Sequence, residues 1–384
     1  NDVLDMSKIE SGKLSLNMDR LSLRETMDSI VNIVQPQVKA RKQHFDIFIQ
    51  KIEAENVYCD SVRLNQVLIN LLSNAIKFTP EKGHVNVYLM QEPSPLGENY
   101  VRCHFRVKDT GIGMSPEFQK TIFETFTREK NTQVQKTEGT GLGMAITKAI
   151  VEAMKGTIEV ASEQGKGSEF HITLDLEKVQ EKDMDMVLPP WRMLVVDNNE
   201  DMCYGTVMAL KEIGVEVEYA LSGEAAVQMV AKRCKQQDHY QIILLDWKMP
   251  GMDGLETTKA IRKYVGDEVT ILIISAYDWS DIEDEAREAG AQGFISKPLF
   301  KSNLFMGLKH YMEADGENKK SESAANNEST FDGKKILVAE DNDLNWEIAE
   351  ELFSERGLIL ERAENGKDCV EKFEQSQEGF YDLI

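Results

Sequence analysis

Apolar residues at Val101, Cys103, Phe105 and Val107 fall on every second position, the period of a strand with one buried face. Val67, Leu68, Leu71, Leu72, Ala75 and Ile76 recur instead at the period of a helix, and Met144–Met154 carries a second helical run. From Met193 onward the pattern changes to short unbroken apolar runs. They end at Asp197, at Asp246, at Ser275 (Thr270-Ile-Leu-Ile-Ile-Ser) and at Lys297 (Gly293-Phe-Ile-Ser-Lys), and a further strand, Val215–Ala220, follows the first intervening helix. Unbroken apolar strands alternating with helices predict a parallel sheet covered on both faces, with ligands at the carboxyl ends of the strands.

This unit begins twice. Met193-Leu-Val-Val-Asp197 returns as Ile336-Leu-Val-Ala-Glu340. An internal repeat fixes architecture before any motif does. Tyr240 precedes Asp246 by six residues, and the second copy stops at Tyr381-Asp-Leu-Ile384, so its equivalent of Asp246 is expected just past the last residue. At the other end Val3, Leu4, Ser7 and Ile9 share one helical face, with Gly12 as a C-cap, and Asn1 stands where an initiator Met would. The sequence is therefore expected to be an internal part of a longer modular protein.

Two polar stretches divide the chain. Residues 177–190 are charged and end in a double proline, and residues 313–333 are nearly free of large apolar side chains. They leave a leader over 1–19, a block over 20–176, a parallel-sheet domain over 191–312 and a truncated copy over 334–384.

The net charge of -22 disfavours nucleic acid and anionic membrane surfaces, so any phosphate must be held locally. Cys59, Cys103, Cys203, Cys234 and Cys369 form no CxxC pair, which suits a reducing cytoplasm. No apolar run of about 18 residues exists, and so no membrane contact is expected within this stretch.

Asn70, Asn74 and Lys77 lie at i, i+4 and i+7 on the polar stripe of the first helix. Asparagine is a poor helix former, and two of them a turn apart beside a lysine invite a metal ion and phosphate; a solvated face is the even alternative from this segment alone. The strand ending at Val107 runs into Asp109-Thr-Gly111-Ile-Gly113, where a carboxylate beside two glycines lets the backbone approach a flat base. Ser115 and Pro116 then read as an N-cap and a first helical position. Gly139-Thr140-Gly141-Leu142-Gly143 opens the second helix, and bare N–H groups at such an entry form an anion site.

In this order the motifs resemble the ATP-binding domain of sensor histidine kinases, within the superfamily shared with gyrase and heat-shock-protein-90 ATPases. Asn70–Thr79 resembles the N box, Asp109–Gly113 the G1 box, Phe123–Phe126 the F box and Gly139–Gly143 the G2 box, with Gly165–Phe170 as the closing turn. The resemblance implies that Asn74 ligates Mg²⁺, Lys77 touches phosphate, Asp109 reads adenine, and 114–140 forms a lid over ATP. ATPases of the superfamily carry a glutamate base at the position of Asn70; an amide cannot remove a proton, which favours a kinase. The kinase's acceptor histidine is expected upstream, on a two-helix dimerisation hairpin whose end is residues 1–19, and the protein is expected to be a homodimer. His44, His84, His104, His171, His239 and His310 lack the acceptor's surrounding motif.

The repeated unit resembles the receiver domain of response regulators. That resemblance makes Asp246 the phosphoacceptor, with Lys297 and Ser275 binding the phosphoryl oxygens and Mg²⁺ held by Asp197, Asp246 and the carbonyl of Lys248. The second copy keeps an acidic pair, Glu340-Asp341, whereas the first has Asp197-Asn198, one carboxylate fewer. The expected whole is an α/β multidomain chain, an α/β-sandwich kinase domain followed by a flavodoxin-like receiver and a truncated second receiver. It is expected to use ATP and Mg²⁺ and to pass phosphoryl groups to a phosphotransfer or response-regulator partner. The alternative is a nonenzymatic scaffold that ATP switches.

Overall fold

The computed structural model of the chain describes residues 2–127, 140–180, 186–275 and 282–312, and from 333 onward all but 342–345, 347–348, 351–352, 355–356 and 378. The chain divides into two compact units, residues 1–316 and 317–384, the first holding both the N-terminal block and the parallel-sheet domain.

The N-terminal block opens with α1 (Asp2–Glu10), whose Asp5 is bound by Arg63 and Gln66 at 3.0 and 2.9 Å. Its sheet has seven strands, β1 (Asp19–Ser22), β2 (His44–Gln50), β3 (Asn56–Cys59), β4 (His84–Pro93), β5 (Tyr100–Asp109), β6 (Thr157–Glu163) and β7 (Gly167–Lys178). They run in the order β1-β3-β7-β5-β4-β2, with β6 on β7, so β2 closes one edge. Three helices, α2 (Leu23–Ala40), α3 (Ser61–Phe78) and α5 (Gly143–Ala153), share one core with the sheet, and the short α4 (Pro116–Thr121) follows β5.

The alternation at Val101, Cys103, Phe105 and Val107 is the buried face of β5. Helix α3 is capped by Asp60, whose carboxylate accepts from Arg63 N at 3.0 Å, and it buries Leu64, Val67, Leu68, Leu71, Leu72, Ala75 and Ile76. These seven apolar side chains occupy one stripe, and Asn70, Asn74 and Lys77 lie half-buried on another.

The parallel-sheet domain has β8 (Arg192–Val196), α6 (Glu200–Glu212), β9 (Glu216–Ala220), α7 (Gly223–Lys235), β10 (Ile242–Asp246), α8 (Gly254–Val265), β11 (Thr270–Ser275), α9 (Glu283–Ala289), β12 (Gly293–Ser296) and α10 (Lys301–Lys309). All pairings are parallel, in the order β12-β11-β10-β8-β9. That is the flavodoxin-like doubly wound order. Met193 and Val195 enter one core and Leu194 and Val196 the other, which is why the strands read as unbroken apolar runs.

The stretch 177–190 is less of a free linker than its composition implies. Glu177 and Lys178 still pair with Tyr58 and Val57, and Leu188 is buried in the core of the parallel-sheet domain. Met186 packs on the same core, and the short apolar run Met186-Val187-Leu188 before Pro189 is too brief to show a period; residues 181–185 lie outside the described stretch.

The second unit contains β13 (Lys335–Ala339), β14 (Ile359–Ala363) and α11 (Gly366–Gln375), with the two strands parallel. Ile336 bridges Leu383, as Met193 pairs with Ile242 in the first copy. Tyr381 Oη donates to Glu361 at 2.8 Å, and Tyr240 donates to Glu218 at the matching place.

Candidate functional site

Asn70, Asn74, Lys77, Asp109, Gly113, Thr140, Gly141 and Gly143 all line one cavity of about 220 Å³ in the N-terminal block. Residues far apart in sequence meet there because α3 and α5 lie side by side on the sheet. Asn70 Nδ2 donates to Thr147 Oγ1 at 2.7 Å, and Asn74 Nδ2 lies 3.5 Å from Met144 Sδ. A Cβ on Gly143 would meet Asn70 Oδ1 at 2.6 Å, so a side chain there would displace the Asn70 amide. Lys77 Nζ lies over the Phe78 ring, 5.3 Å from its centroid.

Asp109 sits at the end of β5 with 7% exposure. Its Oδ1 accepts from Gly111 N at 2.8 Å and from Ser168 N at 3.3 Å. Burial pushes its carboxyl up to about 6, the two N–H groups pulling the other way. Gly113 has φ +62, and a Cβ there would lie 1.9 Å from Glu163 O, so the turn after Asp109 admits no side chain. Leu142 is buried and its N–H donates to Thr140 Oγ1 at 3.3 Å. Ser115 caps α4 and Pro116 opens it. Gly139 and the centre of the expected lid, 128–139, lie outside the described residues. Sequence reasoning passed over Met144, Thr147 and Ser168. Met144 directly follows Gly143 on α5 and Thr147 lies one turn beyond it, and helical spacing from that glycine was the signal for them.

The second site lies at the carboxyl edge of the parallel sheet. Lys297 Nζ is 2.8 Å from Asp246 Oδ1 and 3.1 Å from Asp197 Oδ2, so three strand ends converge on one ammonium. Ser275 is buried at the end of the neighbouring β11, and Lys297 N donates to its carbonyl at 2.9 Å. The Lys297-Pro298 bond is cis. One cation faces two carboxylates here. Burial raises the Asp246 carboxyl above the ordinary carboxylate range, with Lys297 opposing the rise and the Asp197 charge adding to it. Burial works against the charged Lys297, but the carboxylates of Asp246, Asp197 and Asp46 outweigh it and hold the ammonium protonated.

Asp197 is buried and Asn198 beside it is exposed. Lys248 follows β10 in the loop after Trp247. Among the described residues, no three His, Cys, Asp or Glu side chains are grouped to hold a metal ion. The donors present are nonetheless hard oxygen atoms, the kind Mg²⁺ takes, with two carboxylates supplied by Asp197 and Asp246. In the second unit Glu340 and Asp341 follow β13, and Glu340 N donates to Ala363 O at 3.0 Å. No helix among the described residues is long and apolar enough to cross a membrane.

Residues 59–178 match the family described as Histidine kinase-, DNA gyrase B-, and HSP90-like ATPase, and residues 193–309 match the Response regulator receiver domain. The class defined by fold and site is thus a histidine-kinase-type ATPase module joined to a receiver module. The chain is homologous to hybrid sensor kinases. It is 30% identical over 329 residues to the autoinducer 2 sensor kinase/phosphatase LuxQ of Vibrio cholerae, covering 83% of this chain and 37% of that protein. It is 28% identical over 345 residues to the aerobic respiration control sensor protein ArcB of Escherichia coli, covering 88% of this chain and 42% of that protein. The chain therefore spans well under half the length of these relatives. The crystal structure of full-length ShkA in complex with AMPPNP superposes with a TM-score of 0.62 at 23% identity, over 100% of this chain and 74% of that one, a likeness of fold.

Proposed function

We propose that this chain is the catalytic and receiver portion of a hybrid sensor histidine kinase. It binds ATP with Mg²⁺, phosphorylates a histidine on a dimerisation hairpin, and passes the phosphoryl group to Asp246. The observation that supports this most is the convergence of Asn70, Asn74, Lys77, Asp109 and the Gly141–Gly143 turn on one cavity. In this reading Asp109 accepts the adenine amino hydrogens and Lys77 faces the phosphates. The N–H groups at the start of α5 meet the phosphate charge. Asn74 offers its amide oxygen to Mg²⁺. Asn70 is a hydrogen-bonding amide tied to Thr147, so no base activates water at that place.

At the receiver, Asp246 acts as the nucleophile, with Lys297 and Ser275 receiving the phosphoryl oxygens. Asp197, Asp246 and the Lys248 carbonyl would hold Mg²⁺, whose charge offsets the oxygens gathered there. Residues 334–384 act as the start of a second receiver with Glu340 and Asp341 as its acidic pair. The repeated Tyr381–Glu361 hydrogen bond and the Ile336–Leu383 bridge support that assignment. Residues 1–19 end the hairpin through which two copies pair, and the receivers hand on to a phosphotransfer or response-regulator partner in the cytoplasm.

The test is direct. Residues 1–384 should bind ATP·Mg²⁺ yet take no acid-labile, base-resistant label from γ-labelled ATP, while acetyl phosphate should label Asp246. A histidine-type label on this chain alone would overturn the upstream acceptor. Labelling that survives Asp246→Asn would overturn the phosphoacceptor.

A further inference from the structure

Strands β5 and β7 bury Cys103, Phe105, Phe170 and Ile172 on one face of the seven-stranded sheet, which turns His104 and His171 to the other. In the antiparallel register His104 stands opposite Thr173 and His171 opposite Arg106, so the two histidines are diagonal neighbours. Their rings meet nitrogen to nitrogen, with His104 Nδ1 2.9 Å from His171 Nε2. The Thr173 hydroxyl lies 3.4 Å from the same His104 nitrogen. On the far side of that ring, Glu92 of β4 sets a carboxylate oxygen 3.1 Å from Nε2. The contact is out of line for a hydrogen bond, and Nε2 is buried with no hydrogen-bond partner among the described residues.

A carboxylate beside Nε2 favours the proton on that nitrogen and leaves the Nδ1 lone pair aimed at His171. Carboxylate, imidazole and outward lone pair in series is the arrangement that orients a metal-bound histidine. Two nitrogens sharing a tetrahedral ion at about 2.1 Å stand about 3.3 Å apart, so this pair need part only slightly. His171 then carries its proton on Nδ1 in place of Nε2, and no proton leaves the pair. The neighbouring cation is engaged elsewhere, since Arg106 pairs with Glu169 at 3.6 Å and lies over the Tyr88 ring at 4.7 Å. Glu159, opposite His171 on β6, is exposed and adds negative charge on that side. Among the described residues no third His, Cys, Asp or Glu closes round the two imidazoles, which leaves the remaining coordination positions to water.

We infer that His104 Nδ1 and His171 Nε2 form a chelate for a borderline divalent cation, Zn²⁺ above all, on the outer face of this sheet. Imidazole nitrogen suits Zn²⁺, Ni²⁺ or Cu²⁺, whereas Mg²⁺ takes hard oxygen donors. The site is separate from the nucleotide cavity and from the Asp246 cluster, and it depends on neither assignment. A bound ion ties β5 to β7, the strands whose ends bring Asp109 and the Ser168 N–H together.

The experiment titrates Zn²⁺ into residues 1–384 by calorimetry in excess Mg²⁺, which occupies hard-oxygen positions, and follows the imidazole ¹⁵N resonances in parallel. Zn²⁺ should shift two histidine side chains, while Mg²⁺ alone leaves all six unmoved. His104→Gln and His171→Gln should each abolish that event, and Glu92→Gln should weaken it about tenfold. The Glu92 side chain is 48% exposed, so its substitution should spare the fold even where a histidine variant does not. Two other pairs serve as controls, His44 stacked on His84 at 4.6 Å and Cys234 with His239 at 3.5 Å. Zn²⁺ binding that survives His171→Gln, or that disappears with His44→Gln or Cys234→Ser, overturns the site. So does unchanged affinity in Glu92→Gln, or a parent chain that binds no Zn²⁺.

Discussion

Gly143 sits so close to Asn70 that a single methyl group at the glycine would lie 2.6 Å from the Asn70 amide oxygen. The contact locks the start of α5, where phosphate is expected, to the polar stripe of α3. Gly143→Ala must displace the Asn70 amide from its place against Thr147. Alanine is the better helix former by about 1 kcal/mol, so the helix itself should not suffer. The expected result is ATP·Mg²⁺ affinity reduced about tenfold or more by calorimetric titration, with little change in melting temperature. Undiminished affinity would show that this glycine does not set the phosphate end of the cavity.

Asp109 titrates where it can be tested. Its folded-state value of about 6 stands above the ordinary carboxylate value of 3.8, so the folded protein holds a proton that the unfolded chain has released between the two. Stability from this group is greatest below the unfolded value and declines as pH rises through about 6. Adenine recognition runs the opposite way, because an amino group needs an ionised acceptor. Nucleotide affinity should therefore weaken as pH drops below about 6, beyond the loss caused by protonation of the phosphates themselves. Asp109→Asn should bind weakly with that extra dependence gone. Matching pH profiles for parent and variant would remove Asp109 from adenine recognition.

Leu68 is buried on the face of α3 opposite the stripe that carries Asn70 and Asn74. Leu68→Ala should cost about 2–5 kcal/mol of stability, by lost transfer energy and the cavity left behind. At a temperature where the variant remains folded, ATP affinity should fall far less than for Gly143→Ala. Calorimetric melting and titration on the same sample separate the two effects. A loss of affinity as large as that of the glycine variant would mean that the helix position, rather than its polar face, limits binding.

Much of this was legible in the residues. The period at Val101–Val107, the unbroken runs ending at Asp197, Asp246, Ser275 and Lys297, and the glycines at Gly111, Gly113, Gly141 and Gly143 each reflect a local constraint. Local constraints leave local patterns. What stayed hidden depends on contacts between distant segments. Thr147 matters because α3 and α5 lie together, and Ser168 because its backbone N–H reaches Asp109. Leu188 was hidden for a different reason, as the three-residue apolar run Met186-Val187-Leu188 is too short to show a period.

Asn198 stands exposed beside the buried Asp197, at the place where the second copy has Asp341 after Glu340. Two carboxylates, Asp197 and Asp246, already share Lys297, so the charge available to a divalent cation is reduced to about one net negative unit. Asn198→Asp supplies another. Because the position faces water, screening discounts the gain, and Mg²⁺ affinity should rise by roughly three- to tenfold rather than more. Labelling of Asp246 by acetyl phosphate should become faster in step, since the metal offsets the charge gathering at the acceptor. Both effects should shrink as salt is raised, which distinguishes electrostatics from a rearranged loop. Mg²⁺ affinity and labelling rate that stay at the parent values would show that Asn198 does not detune this receiver.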